Sequence, residues 1–283
     1  MMTWPMQQDK ESIYAALRSE YAREDPAGVD VIDRANAFSF YSGVPKVWLM
    51  SHGERGALMM LTQLIRPKIV VEIGTRYGGS AFICSGIAEK VYCVDLDPKV
   101  KARLSSRPNI EVIIGDSKRE LPNLLSHIDG YDLAIVDGDH SATGVKADID
   151  ALLVIKPKRR CWILMHDSFN PECRQGIMSA NWNKPWVWEV EIDYVFGTVM
   201  SDPPMEYSMW GGFALAELRP DDRSGPLIIR QTAATLFDVA YKNSIHKPRS
   251  FLRRAIRKIL KSTEASESVK PKCNNHTIGK RHR

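Results

Sequence analysis

The chain has 283 residues, 44% of them hydrophobic, and a formal net charge of +5. That length admits one large core, or one core with a small appendage, and no apolar run is long enough to span a bilayer. The charge is uneven: from His246 onward 12 Lys and Arg face 2 Asp and Glu, leaving residues 1–245 with 27 basic and 32 acidic groups, a net of −5. A mildly acidic body with a basic tail argues against nucleic acid as a partner of the main domain. The five cysteines (Cys84, Cys93, Cys161, Cys173 and Cys273) form no CxxC pair and are odd in number; Cys93 and Cys161 fall inside expected strands and read as reduced core thiols. The first residues contain no basic segment followed by an apolar one, so the expected location is the cytoplasm.

Residues 9–25 have helical spacing, and residues 26–50 read as irregular and rich in aromatics (Phe38, Phe40, Tyr41, Trp48); together 1–50 form an expected N-terminal helical cap or lid. A helix is predicted from Ser51, its N-cap with Glu54 three residues on, to Ile65, with Pro67 beyond it. Strands follow at 68–73, 90–95, 110–115, 131–137 and 161–167, separated by helices near 79–89, 98–106, 118–127 and 142–154. The strands are continuous apolar and β-branched runs, the pattern of strands covered on both faces. Alternation of this kind predicts an α/β fold with a doubly wound, mainly parallel sheet over residues 51–245. Ligands in such sheets lie beyond the carboxyl ends of the strands.

Acids stand at those ends: Glu72, Asp95, Asp137 and Asp167, with Asp116 just past the third strand. One alone reads as a helix N-cap; a row along one rim describes a site for cationic and hydroxyl groups. The first loop, VVEIGTRYGGS (70–80), lacks the second glycine of a dinucleotide fingerprint and the Gly-Lys-Ser/Thr of a P-loop. It remains an acid-x-Gly-x-x-x-Gly turn, open to close approach and attractive to positive charge.

On this loop, on Asp95 in VYCVDLDP and on IIGDSKRELP, the sequence resembles the class I S-adenosylmethionine-dependent methyltransferases, Rossmann-like in fold, over roughly residues 50–218. The resemblance implies that Glu72, Gly74 and Thr75 line the methionine end of the cofactor and that Gly78 and Ser80 close the turn near its carboxylate. It assigns the ribose hydroxyls to Asp95 and the flanks of adenine to Asp116 and Ser117. IVDGDHSATG and ILMHDSF further resemble the metal-dependent small-molecule O-methyltransferases of the catechol and sugar types. That likeness implies a divalent cation on Asp137 and Asp167, with the third ligand open between His166, Ser168, Asp139 and water. Mg²⁺ is the expected ion, with Mn²⁺ admitted by His166. It also implies that His140 takes the acceptor's proton, against the alternative that His140 caps the following helix.

The expected activity is therefore Mg²⁺-assisted methyl transfer to a small or sugar-like hydroxyl acceptor. Two rivals stand beside it: a metal-dependent hydroxylase, and a non-catalytic cofactor- or glycan-binding module. Trp182 and Trp186 are expected in the core, with stacking on a sugar as the alternative; Tyr194 and Phe196 are lid candidates, and His52 is expected to cap or pack. DPPM (202–205) reads as a loop turn. In the tail, Phe251, Leu252, Ala255, Ile256, Ile259 and Leu260 form one helical stripe opposite basic residues. Such a segment docks on its own domain or, over 247–261, rests weakly on the inner membrane surface; residues 262–283 are expected to be disordered, and a homo-oligomer is compatible with the sequence.

Overall fold

The computed structural model describes residues 49–201 and 204–247. The expectations for the N-terminal cap, Asp202 and Pro203 of the DPPM turn, Cys273 and the amphipathic tail lie outside them. In chain order the described elements are α1 (His52–Ile65), β1 (Ile69–Ile73), α2 (Gly79–Ser85), β2 (Lys90–Asp95), α3 (Lys99–Arg103), β3 (Ile110–Ile114), α4 (Ser117–His127) and β4 (Leu133–Val136). Next come α5 (Ala142–Leu152), β5 (Cys161–His166), α6 (Pro171–Ser179), β6 (Val187–Val199), β7 (Met209–Leu218), β8 (Ile228–Arg230) and α7 (Ala234–Asn243).

The eight strands make one sheet in the order β3-β2-β1-β4-β5-β7-β6-β8. The first five run parallel; β7 is antiparallel to β5 and β6 antiparallel to β7. Neighbouring residues of a strand point to opposite faces, so Val70 joins the core cluster with Leu58, Ile83, Val100 and Phe213, whereas Val71 joins that with Leu121, Ile149, Ile163 and Ile177. Helices α1, α2 and α3 supply residues to the first cluster and α4, α5 and α6 to the second. The central strands β1, β4 and β5 are thereby largely buried on both faces, which explains their mostly apolar sequences. A buried side chain such as Leu58 or Ile163 contributes roughly 1.5–3 kcal/mol of transfer free energy.

Three features set up the site. Helix α1 starts from a reciprocal capping box, in which Ser51 N donates to Glu54 Oε2 (2.6 Å) and Glu54 N to Ser51 Oγ (3.3 Å). Chain order reverses between β1 and β4, which opens a crevice at their carboxyl ends. The third is the β6–β7 pair, which brings Gly211 and Gly212 against the end of β5, where His166 pairs with Phe213. Sequence alternation does not outline β6 because its register slips between Val187 and Glu189 and again between Glu191 and Val195. The helix expected over 98–106 is shorter, at Lys99–Arg103.

Candidate active site

The loop after β1 is shaped by one glycine. Gly74 has φ +83°, and a Cβ there would overlap the carbonyl oxygen of Asp137, just past β4. Only glycine satisfies both conditions, and the crevice can exist because these two chain segments nearly touch. Glu72 lies underneath, fully buried, accepting a hydrogen bond from the Ser80 hydroxyl and facing the Cys93 thiol at 3.7 Å. Burial pushes its carboxyl up to about 7, against the opposing pull of Ser80. Glu72 is expected to line the methionine end of the cofactor; in the structure its carboxyl braces the loop from below, while Gly74, Thr75, Gly78 and Ser80 form the wall.

Asp95 ends β2, but both of its oxygens already accept backbone donors, Arg76 N and Asp97 N, each at 2.7 Å. Asp116 is the N-cap of α4 and accepts from Lys118 N (3.0 Å), and the Ser117 hydroxyl donates to Asp148 Oδ1 (2.6 Å). All three lie on the same rim of the sheet, beyond the wall of the main cavity. Asp148 is buried, its second oxygen has no partner among the described residues, and burial raises its carboxyl above the ordinary range.

Asp137, His166 and Asp167 converge at the ends of β4 and β5 with ligand atoms all within 4.8 Å of one another. His166 Nδ1 is 3.0 Å from Asp137 Oδ1 and 3.5 Å from Asp167 Oδ2; its Nε2 is 3.1 Å from Glu54 Oε1. His140 Nε2 lies 3.0 Å from Asp167 Oδ2 and 3.5 Å from Asp137 Oδ1. Burial alone would raise Asp137, but the two imidazoles outweigh it and hold the carboxyl at about 2. Hydrogen bonds to Asp137 and Asp167 push His140 up to about 9. Burial opposes charge on His166, yet Asp137, Glu54 and Asp167 together carry it well above its ordinary value.

Asp167 itself sits at φ +57°, a strained conformation that costs roughly 1–3 kcal/mol and is held by Gly211 N donating to its Oδ1 at 2.6 Å. Two further candidate ligands make other contacts. Ser168 is buried off the cavity wall, with its hydroxyl against Gly212. Asp139 accepts from Ser141 N (2.9 Å) and packs against Gly144 at the start of α5. That helix is capped by Ser141, not by His140.

Loop and cluster open into one cavity of about 590 Å³, within the range of small-ligand sites. Its wall includes residues that pattern reading did not select: Glu54, Met200, Met205 and Trp210. Trp210 stands edge-on to His140, with ring centroids 5.6 Å apart, and its indole N–H is buried without a partner among the described residues. Trp182 is a core residue whose Nε1 donates to Ile177 O (2.6 Å), and Trp186 packs on the same core; neither lines this cavity. Tyr194 and Phe196 are half-exposed on β6, away from the cavity wall, and His52 is exposed at the first residue of α1.

Residues 71–168 match the family model described as a methyltransferase domain. The matched stretch, roughly a third of the chain, runs from β1 through Ser168 and takes in the loop, the rim acids and the Asp137–His166–Asp167 cluster. No curated protein matches the chain. Among solved structures it is similar to the O-methyltransferase from Bacillus cereus in complex with SAH, at 16% identity over 74% of this chain and 99% of that one, with a TM-score of 0.48. It is also similar to the O-methyltransferase TomG from Streptomyces achromogenes, involved in tomaymycin synthesis, in complex with SAM (12% identity, 76% and 100% covered, TM-score 0.47). The N-methyltransferase NodS from Bradyrhizobium japonicum WM9 in complex with SAH is a third (14%, 60% and 88%, TM-score 0.43).

Proposed function

We propose that the chain is an S-adenosylmethionine-dependent O-methyltransferase for a small hydroxyl compound, assisted by a divalent cation. The observation that carries the reading is the continuity of one cavity from the Gly74–Ser80 loop to Asp137, His166, Asp167 and His140. A glycine turn braced by a buried carboxylate suits the methionine end of a cationic cofactor, and the same crevice brings it beside groups able to activate an oxygen.

The donor set fits a cation: two carboxylates and one imidazole converge, and the far imidazole nitrogen is backed by a third carboxylate. Asp137, Asp167 and His166 would hold it; once bound, it supplies positive charge to an acceptor oxygen and lowers the pKa of that hydroxyl. His140 reaches the same two aspartates through Nε2 and is the group placed to receive the proton. A bound cofactor would supply the methyl group: the acceptor oxygen would bond the methyl carbon as the carbon–sulfur bond breaks with its electron pair returning to sulfur, and the hydroxyl proton would pass to His140. At neutral pH this requires a neutral imidazole. Hydrogen bonds to Asp137 and Asp167 hold His140 at about 9, and a cation held by those aspartates would weaken that hold.

A second reading rests on the same charges: His140 and His166 already offset Asp137, Asp167 and Glu54, so the cluster can serve as a metal-independent ion network around the cofactor. Calorimetry with S-adenosylhomocysteine, followed by transfer of a labelled methyl group to a panel of hydroxyl compounds with and without chelator, separates the two. The proposal expects cofactor-product binding and chelator-sensitive transfer. Transfer indifferent to chelator favours the second reading, and absence of product binding removes both.

A further inference from the structure

Glu54 is explained by the sequence as the third residue of a capping box, yet the structure gives its carboxylate three partners. Oε2 accepts from Ser51 N (2.6 Å); Oε1 accepts from Gly212 N (2.6 Å) and faces His166 Nε2 (3.1 Å). Glu54 is buried, with 3% of the residue exposed. Gly211 and Gly212, both at positive φ, present successive backbone N–H groups to Asp167 and Glu54 respectively, which ties the two carboxylates to one rigid turn. The His166 ring is further pinned by Phe213, with centroids 5.3 Å apart. Its orientation is therefore set on both edges, with Nε2 toward Glu54 and Nδ1 toward Asp137 and Asp167.

A carboxylate against one imidazole nitrogen keeps the proton there and leaves the other nitrogen's lone pair free. We infer that Glu54 is the positioning residue of the cation site, holding His166 as the Nε2–H tautomer, and that the resulting two-carboxylate, one-imidazole set selects a borderline divalent ion such as Mn²⁺ over Mg²⁺. The inference rests on the cation-assisted reading above. Magnesium prefers oxygen donors and retained water, whereas an imidazole nitrogen is a better ligand for manganese and later transition ions. One carboxylate thus serves both the start of α1 and the orientation of the His166 ring.

The test uses the full chain saturated with S-adenosylhomocysteine, titrated with Mn²⁺ and with Mg²⁺ by calorimetry. Free Mn²⁺ is counted in parallel by its paramagnetic resonance signal. Wild type is expected to bind Mn²⁺ at least about tenfold more tightly than Mg²⁺, and Glu54→Gln, which keeps an acceptor oxygen for Gly212 but no charge, to lose about 10–100-fold in Mn²⁺ affinity. A cooperative thermal transition in the variant, followed by circular dichroism, separates lost metal affinity from misfolding. Should the variant fail to fold, ¹⁵N-histidine spectra of wild type saturated with diamagnetic Mg²⁺ decide the point: an Nε2–H tautomer at His166 is expected, and Nδ1–H overturns the inference. Wild-type Mn²⁺ affinity in Glu54→Gln, or Mg²⁺ bound as tightly as Mn²⁺, overturns it while leaving the cation-assisted reading standing. Absence of binding by either ion removes both.

Discussion

Glu72 shows how a single residue can carry a pH signature without touching solvent. Its carboxyl is raised from 4.5 to about 7 because burial penalises the ionised form more than the Ser80 hydroxyl rewards it. An acid with a raised folded-state value binds more protons folded than unfolded, so stability falls as pH rises from 4.5 and levels off above about 7. The full difference is on the order of 3 kcal/mol. Glu72→Gln, which can still accept from Ser80, should remove most of this slope. Urea midpoints at pH 5, 6, 7 and 8 check it: parallel pH dependences for the two proteins would refute a value near 7. His140 supplies the complementary activity prediction. His140→Ala should lower kcat by about 10²–10⁴-fold with S-adenosylhomocysteine affinity intact, and a loss of less than tenfold would remove its role as proton acceptor.

Between elements, the site depends on how closely β1 and β4 come together. Gly74→Ala combines a left-handed backbone with overlap on the Asp137 carbonyl, and should cost more than about 3 kcal/mol or prevent folding. Thermal unfolding of purified protein, or its absence from the soluble fraction, measures this; a loss below about 1 kcal/mol would mean the crevice can widen. The strands at this end of the sheet were legible because parallel strands covered on both faces are mostly apolar, as IVVEI, LAIV and CWILMH are apart from Glu72 and His166 near their carboxyl ends. The rim acids could be read because they interrupt those runs. Glu54 was hidden because a capping box fully accounts for an acid at that spacing, and its contact with His166 spans 112 residues that no local pattern links. Trp182 and Trp210 illustrate the same limit. Both are tryptophans beside small or polar residues, and only the β6–β7 pairing turns one toward His140 while Ile177 claims the other.

At the scale of the whole molecule, one buried ion pair fastens the antiparallel side of the sheet to its helices. Arg174 on α6 donates through Nη1 to Asp193 Oδ1 on β6 (2.7 Å) and through Nη2 to Gln231 Oε1 (3.1 Å); Asp193 Oδ2 accepts from Ala233 N (2.9 Å) just before α7. The guanidinium also lies over the Phe237 ring of α7, 4.3 Å from its centroid. Both charges are at least 95% buried, at 4% and 5% exposure, so removing one leaves the other without solvent to receive it. Arg174→Ala should therefore cost about 3–5 kcal/mol, more than the pair's net worth, because most of that figure is the stranded Asp193. Replacing both partners by apolar residues of similar size, Arg174→Met with Asp193→Leu, should restore much of the loss despite removing every polar contact. Neither residue lines the main cavity, so S-adenosylhomocysteine affinity should survive in both proteins at temperatures where they remain folded. Urea unfolding of the single and double variants decides it. A double variant as unstable as the single one would mean that the hydrogen bonds to Gln231 and Ala233, rather than charge neutralisation, hold α7 against the sheet.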